Sequence, residues 1–494
     1  MSILFKNGTV INASGRQTAD VSVCDGKIIK VAENITPDSG TKVIDCKNML
    51  VLPGAIDAHT HFETTVLVGP DNVPYTSADD FFTGTRAAAC GGVTTVIDFV
   101  TPARGQSLME ALNNRKKAAG SKACIDYSLH MGLTEQSDTV IEEMRDVVDA
   151  GVSSFKVFMT YAIRLSDEEL LRVLTRSREL GAITMVHAEA HEELEQNRTD
   201  FITQGKTSPW YHYLSRPESV ETKGAERAIK LAVVAGAPLY IVHLACSGGM
   251  KAVEKAQKDG HEIFAETCPQ YLHFTSDVYK RTDAENFVCS PPVKDEKSRE
   301  ALWQGIKNGS IATVATDHCP FNLAEKALGK NNFTKIPNGV MGVENFYPYM
   351  LSAANEGRIS YECAVKLCCS NPADIFKLSP NKGSITPGAD ADIVVYDPAK
   401  EFLISQKNMH SSVDYTIWEG VALKGYPVQT YSRGKLVYNN GDFTGGTGGR
   451  FYWGVQGDGS TVPFFHNRYS RTVPLYLPLY PPVPISKRLD TESK

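Results

Sequence analysis

The 494-residue chain contains 42% hydrophobic and 22% charged residues and has a formal net charge of −6, a composition typical of a folded protein long enough for more than one domain. It has no Lys/Arg-rich run, no apolar stretch of about 18 residues and no secretory or transit-peptide pattern, so we expect neither a nucleic-acid nor a membrane partner. The eleven scattered cysteines include no C-x-x-C pair, which is typical of reduced thiols in a cytoplasmic protein.

Both ends of the chain are predicted to be rich in β-strands. Residues 1–50 contain clustered or alternating β-branched residues around Asp25-Gly26, a two-residue hairpin turn. Residues 384–450 contain further strand candidates and a turn at Asn439-Asn440-Gly441. We interpret the two stretches as the halves of one small β-sandwich domain.

Residues 51–383 alternate between apolar strands and helices. Helix boundaries are marked by capping residues; for example, a capping box at residues 166–169 begins a helix that ends at Gly181. The strand candidates are 51–58, 94–100, 126–133, 153–160, 183–188, 238–245, 263–268 and 311–316. Eight strands that alternate with helices predict a (β/α)8 TIM-like barrel. An open doubly wound sheet is the structural alternative, but the Gly-rich phosphate loop that usually follows its first strand is not found in this sequence.

Residues 451–494 differ from both of these regions. The last 34 residues contain six prolines and several aromatic residues, including Tyr476 and Tyr480. This segment has too little polar character for a free tail and too little length for a domain. We expect an extended arm that packs on a neighbouring subunit.

Residue types that bind metals stand at the carboxyl ends of the predicted barrel strands, where barrel enzymes place their chemistry. These residues are His59, His61, Lys156, His187, His243 and Asp317. His59 and His61 alternate along one strand, so their side chains point the same way. One buried histidine is more often a hydrogen-bonded core residue. Four histidines and one aspartate at the strand ends of one barrel instead indicate zinc or a similar divalent metal.

Lys156 lies inside an apolar strand, where a protonated amine would be costly and would repel a metal. Burial lowers the pKa of a lysine, and a neutral amine can react with carbon dioxide to form an anionic carbamate. Because such a carbamate would bridge two cations, the sequence predicts a binuclear metal centre.

The ligand pattern and its surroundings resemble the hydantoinase/dihydropyrimidinase family of the amidohydrolase superfamily over roughly residues 1–450. The motifs that carry the resemblance are Asp79-Asp80-Phe81, Gly91-Gly92-Val93-Thr94-Thr95, Glu266-Thr267-Cys268-Pro269-Gln270-Tyr271-Leu272, Ser290-Pro291-Pro292 and Phe333-Thr334-Lys335-Ile336-Pro337-Asn338-Gly339. The resemblance implies two zinc ions per subunit and a homotetramer. The implied ligands are His59, His61 and Asp317 for one ion, His187 and His243 for the other, and N6-carboxylated Lys156 as the bridge.

The resemblance also implies hydrolysis of the cyclic amide bond of dihydropyrimidines or 5-substituted hydantoins to N-carbamoyl amino acids. The substrate would then be a small cyclic ureide or imide. Asp317 would move a proton from the attacking water to the leaving nitrogen, and Tyr161 would stabilise the tetrahedral oxyanion. Main-chain groups of Ser290 and Asn338 would hold the imide face of the ring.

Two alternatives remain open from the sequence. The first is another ring-opening amidohydrolase, an allantoinase or a dihydroorotase. Dihydroorotases carry an arginine two places after the H-x-H pair, where this chain has Glu63. The second is a non-catalytic scaffold homologue, but such relatives have lost metal ligands that this chain retains. The loop at residues 62–72 is longer than is usual in the family, so the resemblance does not define the exocyclic group of the substrate.

Overall fold

The computed structural model describes residues 2–69 and 71–453. The strands in this part of the chain are β1 (Ser2–Asn12), β2 (Gly15–Cys24), β3 (Lys27–Ala32), β4 (Lys42–Asp45), β5 (Leu50–Pro53), β6 (Ala55–Thr60), β7 (Thr65–Val68), β8 (Val73–Thr76), β9 (Val93–Val100), β10 (Asp126–Gly132), β11 (Ser154–Phe158), β12 (Ile183–His187), β13 (Leu239–Ile241), β14 (Ile263–Thr267), β15 (Thr313–Val314), β16 (Ile393–Leu403), β17 (Ala422–Ser432), β18 (Lys435–Asn439) and β19 (Asp442–Phe443). The predicted C-terminal arm, apart from residues 451–453, lies outside the described residues.

The α-helices in the described residues are α1 (Phe81–Cys90), α2 (Leu108–Gly120), α3 (Asp138–Asp149), α4 (Asp167–Glu179), α5 (His191–Thr203), α6 (Pro209–Ser215), α7 (Glu218–Ala235), α8 (Ser247–Lys258), α9 (Pro269–His273), α10 (Glu296–Asn308), α11 (Leu323–Ala327), α12 (Phe346–Asn355), α13 (Tyr361–Val365) and α14 (Asn371–Ile375). Short 3-10 helices cover Ser276–Lys280, Ala284–Phe287, Phe333–Lys335 and Gln406–Asn408, and a π-helical turn covers Lys366–Ser370. None of the described helices is long and apolar enough to cross a membrane.

Eight of the described strands form one parallel sheet in the order β6-β9-β10-β11-β12-β13-β14-β15. The first and last of these strands meet at a parallel bridge between Thr60 and His318. There, His61 N donates to His318 O at 2.9 Å, and His318 N donates to His59 O at 3.3 Å. Every connection between successive strands contains at least one of the helices α1–α10. The closed sheet and its outer helices confirm the predicted (β/α)8 barrel.

A second sheet contains nine of the described strands, in the order β19-β18-β17-β16-β5-β1-β2-β3, with β4 paired to β1. Its two halves come from opposite ends of the described chain and are joined by antiparallel pairing of β5 with β16. A separate hydrophobic core that includes Phe5, Val21, Ile393 and Tyr431 packs here. The structure thus contains the β-rich domain expected beside the barrel. The exact domain boundaries drawn from the sequence stay predictions.

The apolar run at residues 51–58, which the sequence presents as one strand, belongs to two sheets. β5 pairs in the nine-stranded sheet, whereas β6 begins the barrel. The chain changes sheets at Gly54, whose N donates to Asp392 O at 2.9 Å. A Cβ at Gly54 would collide with the side chain of Thr94, so only glycine fits this crossing. Hydrophobic periodicity cannot show the change because both strands are buried.

Helix ends follow the local sequence as predicted. Ser166 Oγ accepts from Glu169 N, and the carboxylate of Glu169 accepts from Ser166 N at 2.7 Å, which completes the predicted capping box. These caps determine where α4 starts between β11 and β12, two strands that carry predicted metal ligands.

Candidate metal centre

The structure brings all six predicted metal ligands to the carboxyl end of the barrel. His59 lies near the end of β6, Lys156 lies within β11 and His187 is the last residue of β12, while His61, His243 and Asp317 lie in the segments that follow β6, β13 and β15. Parallel strands in a closed barrel direct these positions towards one mouth. The six side chains are thus neighbours although 258 positions separate the first from the last.

One cluster consists of His59, His61 and Asp317. Asp317 Oδ1 lies 3.2 Å from His59 Nε2 and 3.1 Å from His61 Nε2. On its other side, His59 Nδ1 lies 2.6 Å from Glu266 Oε1. Because a carboxylate accepts hydrogen bonds, this contact keeps a proton on Nδ1, and a cation that displaces the other ring proton would bind the lone pair of Nε2.

The second cluster is formed by His187 and His243. His187 Nδ1 lies 2.9 Å from His243 Nε2, and His187 Nε2 lies 2.6 Å from Glu189 Oε2. Glu189 therefore fixes the tautomer of His187 as Glu266 fixes that of His59. Arg216 forms an ion pair with Glu189, which holds that carboxylate in place.

Lys156 and Phe99 lie beside the two clusters. The ring centroids of His59 and His243 are 5.5 Å apart, and the Phe99 ring lies 4.8 Å from the rings of both His59 and His61. Lys156 Nζ is 5.2 Å from the Phe99 centroid. Burial lowers the pKa of Lys156 to about 8, against the raising effect of nearby carboxylates. Burial therefore favours the neutral amine, which is the form that carbamate formation requires.

Without any metal, the first cluster contains a negatively charged side chain, Asp317, and a positively charged one, His59. Burial would raise the pKa of Asp317, but the imidazoles of His59 and His61 hold it well below its usual range. Burial would likewise lower the pKa of His59, whereas the carboxylates of Glu266 and Asp317 raise it to about 9. The carboxylates thus attract positive charge to this position, and a divalent cation would satisfy them as a proton does.

The donor set fits a divalent metal centre. His59, His61 and Asp317 each offer one ligand atom, and these atoms lie within 4.8 Å of one another. His243 Nδ1 is buried and has no hydrogen-bond partner among the described residues. Imidazole nitrogens oriented by carboxylates are the usual protein environment of zinc.

The three predicted substrate residues, Tyr161, Ser290 and Asn338, are partly exposed. Asn338 Nδ2 donates to Ser290 Oγ at 2.8 Å. The Tyr161 ring lies 5.1 Å from the ring of His187, and the Arg216 guanidinium lies 5.6 Å from the Tyr161 centroid. Burial raises the pKa of Tyr161, although Arg216 lowers it. The hydroxyl therefore stays protonated and available as a donor.

Three predicted site residues that are not glycine have left-handed backbone conformations, with φ of 71° at Tyr161, 39° at His243 and 53° at Asp317. Such conformations cost about 1–3 kcal/mol each and are concentrated at functional sites. Here they occur where the chain leaves β11, β13 and β15. The strained backbone directs these three side chains into the mouth of the barrel.

Sequence reasoning did not assign roles to Glu189, Glu266 and Arg216. Glu189 stands two residues after His187, and Glu266 lies near the end of the predicted strand 263–268, at the start of one of the family-like motifs. A carboxylate near a strand end was therefore visible in both places. The sequence gives no sign that Arg216, which lies just after α6, reaches Glu189.

Comparisons with known proteins agree with the family resemblance seen in the sequence. The sequence profile described as the amidohydrolase family matches residues 50–437. The chain is 41% identical over 457 residues to a D-hydantoinase from Rhizobium radiobacter, covering 91% of this chain and 98% of that relative. It is 41% identical over 456 residues to a D-phenylhydantoinase from Escherichia coli (strain K12), with the same coverage of 91% and 98%. The crystal structure of a dihydropyrimidinase from Brevibacillus agri superposes with a TM-score of 0.88 at 37% identity, over 91% of this chain and 98% of that one.

Proposed function

Because the chain belongs to the hydantoinase and dihydropyrimidinase branch of the amidohydrolase family, a branch of cyclic-amide hydrolases, we propose that it opens 5-substituted hydantoins or dihydropyrimidines to N-carbamoyl amino acids. The reaction adds water across one carbon–nitrogen bond of the ring. The observation that supports this proposal most is the meeting of two histidine clusters at one end of the barrel, with Asp317 in one of them.

We assign a pair of zinc ions to these clusters. His59, His61 and Asp317 would hold one ion, His187 and His243 the other, and carboxylated Lys156 would bridge them. When bound, the ions would act as Lewis acids and lower the pKa of a water molecule. The buried position of Lys156, which favours its neutral amine, supports the carboxylation.

Asp317 is proposed to move the proton. Its carboxylate is held ionised by His59 and His61, and its side chain remains 15% exposed at the mouth of the barrel. It would take a proton from the attacking water and pass it to the ring nitrogen that leaves. An ionised carboxylate that is open on one side suits both steps.

Tyr161, Ser290 and Asn338 are proposed to bind the ring. The Tyr161 hydroxyl would donate to the carbonyl oxygen as negative charge develops there. Main-chain groups of Ser290 and Asn338 would pair with the imide face. The contact between their side chains holds the two segments beside each other, which supports a shared binding site for the imide face of the ring.

The dihydroorotase alternative requires a cation close to the H-x-H pair. Glu63 stands at that place and forms an ion pair with Lys122, which also lies 3.2 Å from Asp80. The charge of Lys122 is thus engaged by two carboxylates of its own chain. This arrangement favours an uncharged ring substituent over the carboxylate of dihydroorotate.

A substrate panel on zinc-loaded protein tests the proposal. We expect hydrolysis of dihydrouracil or 5-phenylhydantoin, together with two bound zinc ions per subunit by elemental analysis. Hydrolysis of dihydroorotate or allantoin without hydrolysis of the other two rings would contradict the proposal and would instead indicate a dihydroorotase or an allantoinase. Absence of turnover on all four rings by zinc-loaded protein would support the scaffold interpretation.

We also propose that the protein is a cytoplasmic homotetramer. The family resemblance supports the assembly. The eleven cysteines are all free in the structure, which supports a reducing compartment.

A further inference from the structure

One buried lysine connects the segments that carry Ser290 and Asn338. Lys326 lies on the short helix α11, and its side chain is fully buried. Its Nζ donates to Val288 O at 2.9 Å, Pro337 O at 2.8 Å and Gly339 O at 2.6 Å. The first acceptor is two residues before Ser290, and the other two flank Asn338. All three hydrogen bonds therefore end on the segments proposed to bind the ring.

The two segments also contact each other directly. Gly339 N donates to Val288 O at 3.0 Å, so this carbonyl accepts from both Gly339 and Lys326. Gly339 has a φ of 146°, and a Cβ there would collide with the carbonyl of Cys319. The segment around Asn338 is thus packed without spare room, and Lys326 completes its hydrogen bonding.

The geometry accommodates every donor of the protonated lysine, although burial lowers the pKa of Lys326 to about 7. An ammonium has three N–H groups, and three uncharged carbonyl oxygens from two different segments accept them. A neutral apolar side chain in the same space would leave three buried carbonyls without this partner, which is costly. Lys326 therefore determines the relative position of the two segments.

We propose that Lys326 is a positioning residue for the cyclic substrate: it holds the main-chain groups of Ser290 and Asn338 at the separation that the imide face of the ring requires. This inference rests on the proposed function, which assigns those groups to the ring. The three hydrogen bonds of Lys326 go to these segments and not to the six proposed metal ligands. Loss of the lysine should therefore impair ring binding much more than metal binding.

Lys326→Met tests the proposal because methionine keeps the length of the side chain but removes the donors. We expect KM for the ring substrate to rise about tenfold or more, the equivalent of about 1.4 kcal/mol, while kcat falls much less. Zinc content should equal that of the wild type. A wild-type KM, or equal losses of kcat and zinc, would overturn the proposal.

Lys377→Met is the matched control. Lys377 Nζ donates to Gly181 O at 2.6 Å, at the amino end of β12 and therefore at the opposite end of the barrel from the candidate metal centre. This variant also loses a lysine-to-carbonyl hydrogen bond, but its KM should equal that of the wild type. A comparable rise in KM in Lys377→Met would mean that the effect is a general loss of stability.

Lys326→Gln provides a second variant if Lys326→Met does not fold. Its amide retains two donors on a shorter side chain, so KM should rise less than in Lys326→Met but clearly above the wild type. A folded Lys326→Gln protein with wild-type KM would refute the positioning role. If wild-type protein hydrolyses none of the rings in the panel, both the proposed function and this inference are refuted. Wild-type turnover with unchanged KM in the variants refutes only the role of Lys326.

Discussion

Lys156, in its carboxylated form, is proposed to bridge the metal ions that the two histidine clusters would hold. In Lys156→Ala we expect loss of most bound zinc and of most activity, because no anion then bridges the two cations. A small carboxylic acid added to this variant should restore part of both, since it supplies the missing carboxylate. Elemental analysis and hydrolysis rates measure the two effects. Full activity in Lys156→Ala would contradict the bridging role.

Tyr161 should affect turnover without affecting the metal. Tyr161→Phe removes one hydroxyl donor and keeps the ring beside His187, and loss of such a donor typically costs about 10²–10³ in kcat, or roughly 3–4 kcal/mol. KM and zinc content should change little. Steady-state kinetics with elemental analysis decide the question. Near-native kcat would show that Tyr161 only packs beside His187.

At the residue scale, the sequence singled out the six proposed metal ligands but not the carboxylates that hydrogen-bond to two of them. His59 and the other proposed ligands are recognisable because each is an unusual residue type in or just after an apolar strand. The role of Glu266 depends on a contact with His59 across 207 positions, which no local pattern contains. Lys326 is one of many lysines in the sequence, and only the folded chain shows that it is buried.

The element most open to a pH test is the segment between β16 and β17, which His410 attaches to the barrel. His410 Nδ1 donates to Glu344 Oε1 at 2.6 Å and Nε2 donates to Gly441 O at 3.0 Å, so both ring nitrogens carry protons. The hydrogen bond to Glu344 raises the pKa of His410 above its ordinary value of 6.5, although burial opposes the rise.

This raised pKa predicts how stability depends on pH. The contribution of His410 should be fully present below about pH 6.5 and lost as pH rises through the higher pKa of the folded state. His410→Gln should therefore lose about 1–2 kcal/mol at pH 6 and much less at pH 9. Denaturant unfolding of both zinc-loaded proteins at the two pH values measures the difference. An equal loss at both pH values would contradict the charged state of His410.

At the element scale, the alternation of strands and helices was sufficient to predict the barrel. It was not sufficient to separate β5 from β6, because residues on both sides of Gly54 are apolar and buried. What divides them is the close approach of Thr94 to Gly54. That contact belongs to the assembled fold rather than to the local sequence.

At the scale of the whole molecule, the predicted arm should contribute to assembly. We expect a chain that ends at Gly459 to form smaller oligomers than the full chain and to unfold at a lower temperature, because the apolar and proline-rich residues beyond it would no longer pack on a neighbouring subunit. Sedimentation and thermal unfolding compare the two chains. Identical sedimentation and an identical unfolding temperature would show that the arm does not contribute to assembly.

The bridge between Thr60 and His318 closes the barrel, so the contacts around it oppose opening of the barrel. The hydrogen bonds of His59, His61 and His318 join the first strand to the last, and three proposed ligands of one zinc ion, His59, His61 and Asp317, lie on both sides of the same seam. A zinc ion held there would act as a crosslink, so its binding free energy would also oppose separation of β6 from β15. Removal of zinc by a chelator should therefore speed hydrogen exchange at the amides of His61 and His318 before the rest of the barrel loosens. The metal centre would then stabilise the closed barrel in addition to its role in catalysis.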